Sequence, residues 1–134
     1  MFKTNAFDYI NVIGKAADGS WLRNEALANN LANAATPLYK RMDVDFESQL
    51  RTAMGASRYE SIDYKVRRMN RHLKELIPTT YMDSEAYSYR LDGNNVDIDT
   101  ENVMLAANQL KYQGLTTCIN SEFTNLQTAM RAPS

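Results

Sequence analysis

Apolar side chains recur at Phe7, Ile10, Ile13, Ala17, Trp21, Leu27, Leu31 and Ala34, in steps of three, four or their multiples, with one weak link around Asn24. This period predicts an amphipathic helix over about residues 5–34, roughly 45 Å long. A second run, Val103, Ala106, Ala107, Leu110, Gly114, Leu115, Ile119, Phe123, Leu126 and Met130, predicts another over about residues 99–132. Asp97 and Asp99 are candidate N-caps for it, and Glu101 suits the positive end of its dipole. Each stripe is narrow, closer to a coiled-coil seam than to a broad globular face. Such a stripe needs a partner, either the other end of the chain or a neighbouring copy. The expected fold is mainly α. Long N- and C-terminal helices pair as an antiparallel coiled-coil-like hairpin around a small irregular middle segment, about 35–98, that contains a short β-hairpin.

Ala17-Asp18-Gly19-Ser20 is a weak point where the first helix could fray or kink, because Gly and cap-type residues interrupt it. Thr36-Pro37 stops the helix, since a residue before proline disfavours the helical region. In the middle, Asp45–Met54 reads as a short helix broken by Gly55-Ala56-Ser57, and Arg58–Ile77 as a charged helix stopped by Pro78. Tyr87–Leu91 and Val96–Ile98 alternate with period two around Asp92-Gly93-Asn94-Asn95, a hairpin pattern. The 134 residues are expected to form one elongated unit rather than two cores.

Composition removes several chemistries. With 15 basic and 16 acidic residues the net charge is -1, which argues against a surface given over wholly to nucleic acid or membrane. One Cys and one His leave no disulfide framework, no Cys-rich zinc module and no multi-His centre. His72 sits among cations and reads as a surface residue, and Cys118 as a half-buried thiol. Asp92–Glu101 fails the calcium-loop pattern, because Val96 and Asp97 stand where an acid and a glycine are needed. Lys65–Lys74 is the one basic run, and the adjoining acids Glu60, Asp63 and Glu75 favour a solvated or protein-contact face. No apolar run resembles a signal peptide or a membrane span. No metal, cofactor, small-molecule substrate or nucleic-acid partner is expected, and no catalytic constellation is recognisable.

Asparagine is a poor helix former, yet Asn24, Asn29, Asn30 and Asn33 lie in the first helix and Asn108, Asn120 and Asn125 in the second. On a seam such residues cost stability and fix register. The run Ala28–Lys40, with Leu31-Ala32-Asn33 followed by Thr36-Pro37-Leu38-Tyr39, resembles the N-terminal motif of flagellar axial proteins. Met42–Phe46, Asp92–Asp99 and Asn108–Gly114 then resemble the proximal-rod members of the flagellar basal-body rod protein family. Two departures stand out. Ala35 replaces a frequent Asn, and Leu38 stands where the family commonly has Gly. Leucine resists positive φ, so the turn is expected to differ in shape.

The resemblance implies a structural subunit, not an enzyme, that assembles helically into the rod between membrane ring and hook and transmits torque. Implied partners are copies of itself, other proximal-rod proteins, the rod-to-ring adaptor and, in transit, the flagellar type III export apparatus. The implied location is the basal body outside the cytoplasmic membrane, in the periplasmic space or cell-wall zone, reached without a cleaved signal peptide. Ile10, Ile13, Leu27, Leu31, Leu110, Leu115, Phe123 and Leu126 are the expected packing residues. Asn29, Asn30 and Asn33 are the expected register residues. Thr36, Pro37 and Tyr39, with Asp92, Gly93, Asn94 and Asn95, form the expected turns. Phe2, Phe7 and Ile10 form a candidate export-recognition patch. A soluble helical adaptor or export chaperone is the alternative.

Overall fold

The computed structural model describes residues 6–55, 58–83 and 90–131. Phe2, the first half of the expected hairpin at Tyr87–Tyr89, and the last residues of the chain lie outside them. Helix α1 spans Ala6–Ala32 and helix α4 spans Ile98–Arg131, about 40 Å and 51 Å by their 27 and 34 residues. They pack antiparallel: Asn30 meets Glu101, Ser20 meets Asn108, and the Trp21 and Tyr112 rings lie 5.8 Å apart. Between them come β1 (Met42–Val44), α2 (Glu47–Met54), α3 (Ile62–Arg71) and β2 (Thr80–Met82).

The start of α4 is set by Asp97. Its carboxylate accepts from the Asp99 amide at 3.1 Å and from the Thr100 hydroxyl at 2.8 Å, while its carbonyl takes the Glu101 amide. These bonds, the Thr100 hydroxyl first, hold the Asp97 pKa below the ordinary carboxylate value. Helix α1 runs unbroken through Gly19. The expected weak point is instead a packing site, because Gly19 admits the Phe46 ring against the helix backbone. Helix α1 ends at Ala32, two residues before the expected end.

The middle segment does contain an antiparallel strand pair, but not at the expected place. β1 pairs with β2 in the register Met42↔Met82, Asp43↔Tyr81, Val44↔Thr80. The segment Asn94–Asp97 is irregular, and Ile98 is already helical. Asn94 and Asn95 spend their side chains on backbone groups of other segments, as described below.

The apolar core lies between α1 and the middle segment rather than along the α1–α4 seam. Ala26, Val44, Phe46, Met69 and Leu76 form its buried centre, with Val12, Ala16, Leu22, Leu50 and Leu73 packed around it. Helix α3 turns Met69 inward; Arg67 and Arg71 are exposed, and Lys65 and Arg68 are half-buried. It is tied to α1 by Tyr9, which donates to Asp63, and by Asn70, which donates to Asp8 at 2.6 Å.

Candidate functional site

In α4 the buried residues are polar: Glu101 and Asn108. Each anchors a hydrogen-bonded station on α1. Asn108 donates to the Ser20 carbonyl at 2.8 Å and to Asn24 Oδ1 at 2.9 Å, and accepts from the Ser20 hydroxyl at 3.2 Å. Asn24 is thus where the apolar stripe weakens and the polar seam takes over.

The second station is a clasp around Asn30, which is fully buried. Its amide nitrogen donates to the Met42 carbonyl at 2.7 Å and to Glu101 Oε2 at 3.0 Å. Its oxygen accepts from the Met42 amide at 2.8 Å and from the Tyr39 hydroxyl at 3.2 Å. All four capacities of the side chain are used. The amide engages both backbone groups of Met42 as a neighbouring strand would. Burial and the nearby Glu101 charge raise the Tyr39 pKa.

Glu101 is 1% exposed and pairs its other oxygen with Arg41 Nε. The same guanidinium reaches Asp43 Oδ2 at 3.0 Å and Asp83 Oδ2 at 3.1 Å. Burial works against the Arg41 charge. The hydrogen bond and field of Glu101, then those of Asp43, outweigh it and leave its pKa above the ordinary guanidinium value. Asn95 closes the ring, accepting from the Arg41 amide at 2.7 Å and donating to the Asp83 carbonyl at 3.1 Å. Arg23 supports Asp43 from α1, with Nε 3.1 Å from Oδ1. One guanidinium therefore joins β1, the segment after β2, and α4.

A third polar residue finishes α1. Asn94, buried, donates to the carbonyls of Asn33, Ala34 and Thr36 at 2.9–3.1 Å, taking up acceptors that a helix C-terminus leaves open. Arg90 also donates to the Ala34 carbonyl. The turn beyond it keeps the left-handed geometry that a glycine would adopt. Leu38 sits at φ +61°, and its amide donates to the Asp92 carbonyl at 2.9 Å. Leu38 takes up the positive φ that a leucine resists, and these bonds hold it there. The strain costs about 1–2 kcal/mol. The Leu38 side chain is 77% exposed, so it returns little in burial. Leu38→Gly is expected to raise the Tm by about 2–4 °C after the larger chain entropy of glycine is subtracted. Leu38→Ala, which keeps the strain, should not. A fall in Tm for the glycine variant would show that the leucine contact with Gly93 carries the turn.

Glu47 links α2 to α4. A hydrogen bond from Lys111 lowers its pKa first, burial opposes that, and the charges of Lys111, Arg23 and Arg51 add to the lowering. A depressed carboxylate stabilises the fold above its unfolded pKa of about 4.3 and loses that effect as pH falls through the folded value. Thermal melts from pH 6 downward should therefore show a loss of stability below about pH 5 that is shallower in Glu47→Gln. Parallel curves would remove the pair from the acid response.

The expected packing residues separate into two groups. Leu27 is fully buried, and Ile10, Ile13, Leu31, Leu115 and Leu126 are half-buried. Leu110 is 70% exposed and Phe123 is about half exposed in the single chain. Phe7 and Trp21 also face outward, as does Val103. Of the expected register residues, Asn30 and Asn33 engage partners, with Asn33 donating to the Asn29 carbonyl at 2.8 Å; Asn29 is exposed. Thr36 and Tyr39 bond within the turn, and Pro37 is exposed. Cys118 is exposed rather than half-buried. His72 lies on the surface beside Glu75. The sequence reading missed Arg41, Asp43 and Glu101 as a unit, and Ser20 as the partner of Asn108. The only signal was asparagine in helix interiors.

From Asn102 to Ser121 the sole charged residue is Lys111, and it pairs with Glu47. An exposed helix face with so little charge, carrying Val103 and Leu110, is the face of a chain that packs against other chains. Comparison with known proteins gives the family. The chain is 36% identical over 117 residues to the flagellar basal body rod protein FlgB of Salmonella typhimurium, covering 81% of this chain and 83% of that one. It is 33% identical over 109 residues to FlgB of Bacillus subtilis, covering 81% and 82%. It is 32% identical over 119 residues to FlgB of Escherichia coli, covering 82% and 83%. No family model matches the chain. The chain belongs to the FlgB family of flagellar basal body rod proteins.

Proposed function

We propose that this chain is a structural subunit of the proximal rod, joining the membrane ring to the distal rod and hook and transmitting torque through helical assembly. The observation that carries this reading is the exposure of Phe7, Trp21, Val103, Leu110 and Phe123 on α1 and α4, in a chain whose relatives are named rod proteins. Large apolar groups spread along two long helices leave surface that only neighbouring chains can cover. A contact between unlike faces that does not close produces a filament, as a rod requires. Leu110 and Phe123 then serve as packing residues between subunits, and Leu27, Leu31 and Asn30 within one. The clasp keeps the α1–α4 pair in register under load.

In this reading the neighbours are further copies, the other proximal-rod proteins and the adaptor that joins rod to ring. The chain reaches its place beyond the cytoplasmic membrane through the flagellar type III apparatus. The structure contains no helix long and apolar enough to cross a membrane among the described residues.

Mass spectrometry of basal bodies purified from the source cells tests this. The chain should appear in the particle at a fixed ratio to other axial proteins. Its presence only in the soluble fraction would overturn the proposal in favour of a soluble adaptor or export chaperone.

A further inference from the structure

On α1 the residues Gly14, Asp18, Trp21 and Glu25 fall within about 60° of one another around the helix axis. This stripe lies off the core, and Trp21 borders α4, its ring 5.8 Å from that of Tyr112. Trp21 is 61% exposed. Beside it opens a groove of about 390 Å³, largely apolar, lined by Trp21, Asn24, Glu25, Ala28, Leu105 and Gln109. Gly14 lies in the helix interior, where glycine costs about 1 kcal/mol relative to alanine. A Cβ there would meet nothing within 4 Å, so no contact among the described residues requires the glycine. Asp18 and Glu25 stand two turns apart, about 10 Å, on either side of the tryptophan. Both are exposed, and neither makes an ion pair among the described residues.

A complementary face lies on α3. Its inward side holds Met69, and its first turn is tied to α1 of the same chain through Asp63. Arg71 and Lys74 point outward near its end, exposed and without an ion pair among the described residues. Tyr64 shares that outward side. The acid that adjoins them, Glu75, is paired with His72 at 3.3 Å.

We propose that the Asp18–Trp21–Glu25 face of one copy docks α3 of a second copy, with Arg71 stacked on Trp21 and the two cations meeting the two acids. The inference rests on the rod-subunit reading, which supplies the second copy. Two acids flanking an exposed aromatic complement in sign two cations at the end of a short helix, and the indole adds a face for the guanidinium. Gly14 leaves room for the incoming helix to approach closely. Because the two faces are different parts of one chain, the contact is heterologous, and each bound copy offers a fresh α1 face to the next.

Disulfide trapping in flagellated source cells tests it. In a Cys118→Ser background, Glu25→Cys combined with Lys74→Cys should give a ladder of covalent oligomers on mild oxidation, and either cysteine alone should give none. Dimers from Glu25→Cys alone would mean that like faces meet, and a product with a protein of another mass would mean a different occupant. Either result overturns the proposal. So does the lack of a ladder when the chain is present in purified basal bodies. Absence of the wild-type chain from those particles would instead defeat the rod reading itself. In parallel, Asp18→Lys with Glu25→Lys should cut incorporation into basal bodies at least tenfold, and adding Arg71→Glu with Lys74→Glu in the same chain should restore it. All four side chains are exposed, so the melting curves of the purified variants should match wild type. Undiminished incorporation of the first double variant, or no rescue by the second, would overturn the docking.

Discussion

Replacing Glu101 by alanine is expected to destabilise the protein by about 3 kcal/mol and to lower its Tm by about 10 °C. Glu101 gives one oxygen to Arg41 and the other to Asn30, and the carboxylate is screened from water. Removing one partner of a buried ion pair typically costs about 3–5 kcal/mol, because the remaining charge stays desolvated. The lower end applies here, since Asp43 and Asp83 still hold the guanidinium. Glu101→Gln keeps the shape and an acceptor for Asn30 while losing the charge, and should cost about half as much. Arg41→Met combined with Glu101→Leu removes both charges together and should recover part of the loss, with Asp43 left to Arg23. Thermal unfolding by circular dichroism gives all three values. Equal losses for the alanine and double variants would mean that packing, not the ion pair, sets the cost. Hydrogen exchange locates the effect. Amides in the first turns of α4 and in β1 should lose protection together, because the same guanidinium fastens both.

The two long helices were legible because their apolar period persists over many turns, and the α4 start was legible because Asp97 has the right chemistry one residue before it. The clasp was not. Asn30 and Glu101 are 71 positions apart, and Arg41 stands in a segment with no periodicity. The sequence marks Asn30 as out of place in a helix without naming what it holds. The strand pair was missed for a related reason. β1 and β2 have three residues each and no shared turn, so neither alternation nor a hairpin signal announces them. The Asp92–Asn95 cluster carries that signal, yet Asn94 caps α1 and Asn95 bridges Arg41 to Asp83, work that turn propensity does not describe. The apolar stripes were found, but their division into inward and outward members was not. Trp21 and Leu110 fit the helical period and still face outward, because the small middle segment covers only one side of α1.

Gly19 separates local propensity from packing most sharply, and Gly19→Ala is expected to lower stability by about 2 kcal/mol. Helix propensity alone favours alanine by about 1 kcal/mol. A Cβ at this position, however, would fall 2.3 Å from Phe46 Cδ1 and 2.7 Å from Cγ, well inside contact distance. Beside the ring lies a cavity of only about 30 Å³, too small to take it. Phe46 is buried among Ala26, Val44, Met69 and Leu76, and its backbone leads directly from β1 into α2. Relief requires α1 to separate from the β1–α2 corner, which also loosens Arg23 from Asp43 and Glu47. Gly14→Ala and Gly114→Ala are the controls, since a Cβ at either meets nothing within 4 Å. Both should raise the Tm of the isolated chain by a few degrees, following propensity. Phe46→Leu offers the second test. The smaller side chain costs stability by itself, yet it should reduce the penalty of Gly19→Ala, giving a coupling of about 1 kcal/mol in a double-mutant cycle. Additive effects of the two substitutions would show that the helix, not the ring, resists the extra methyl group.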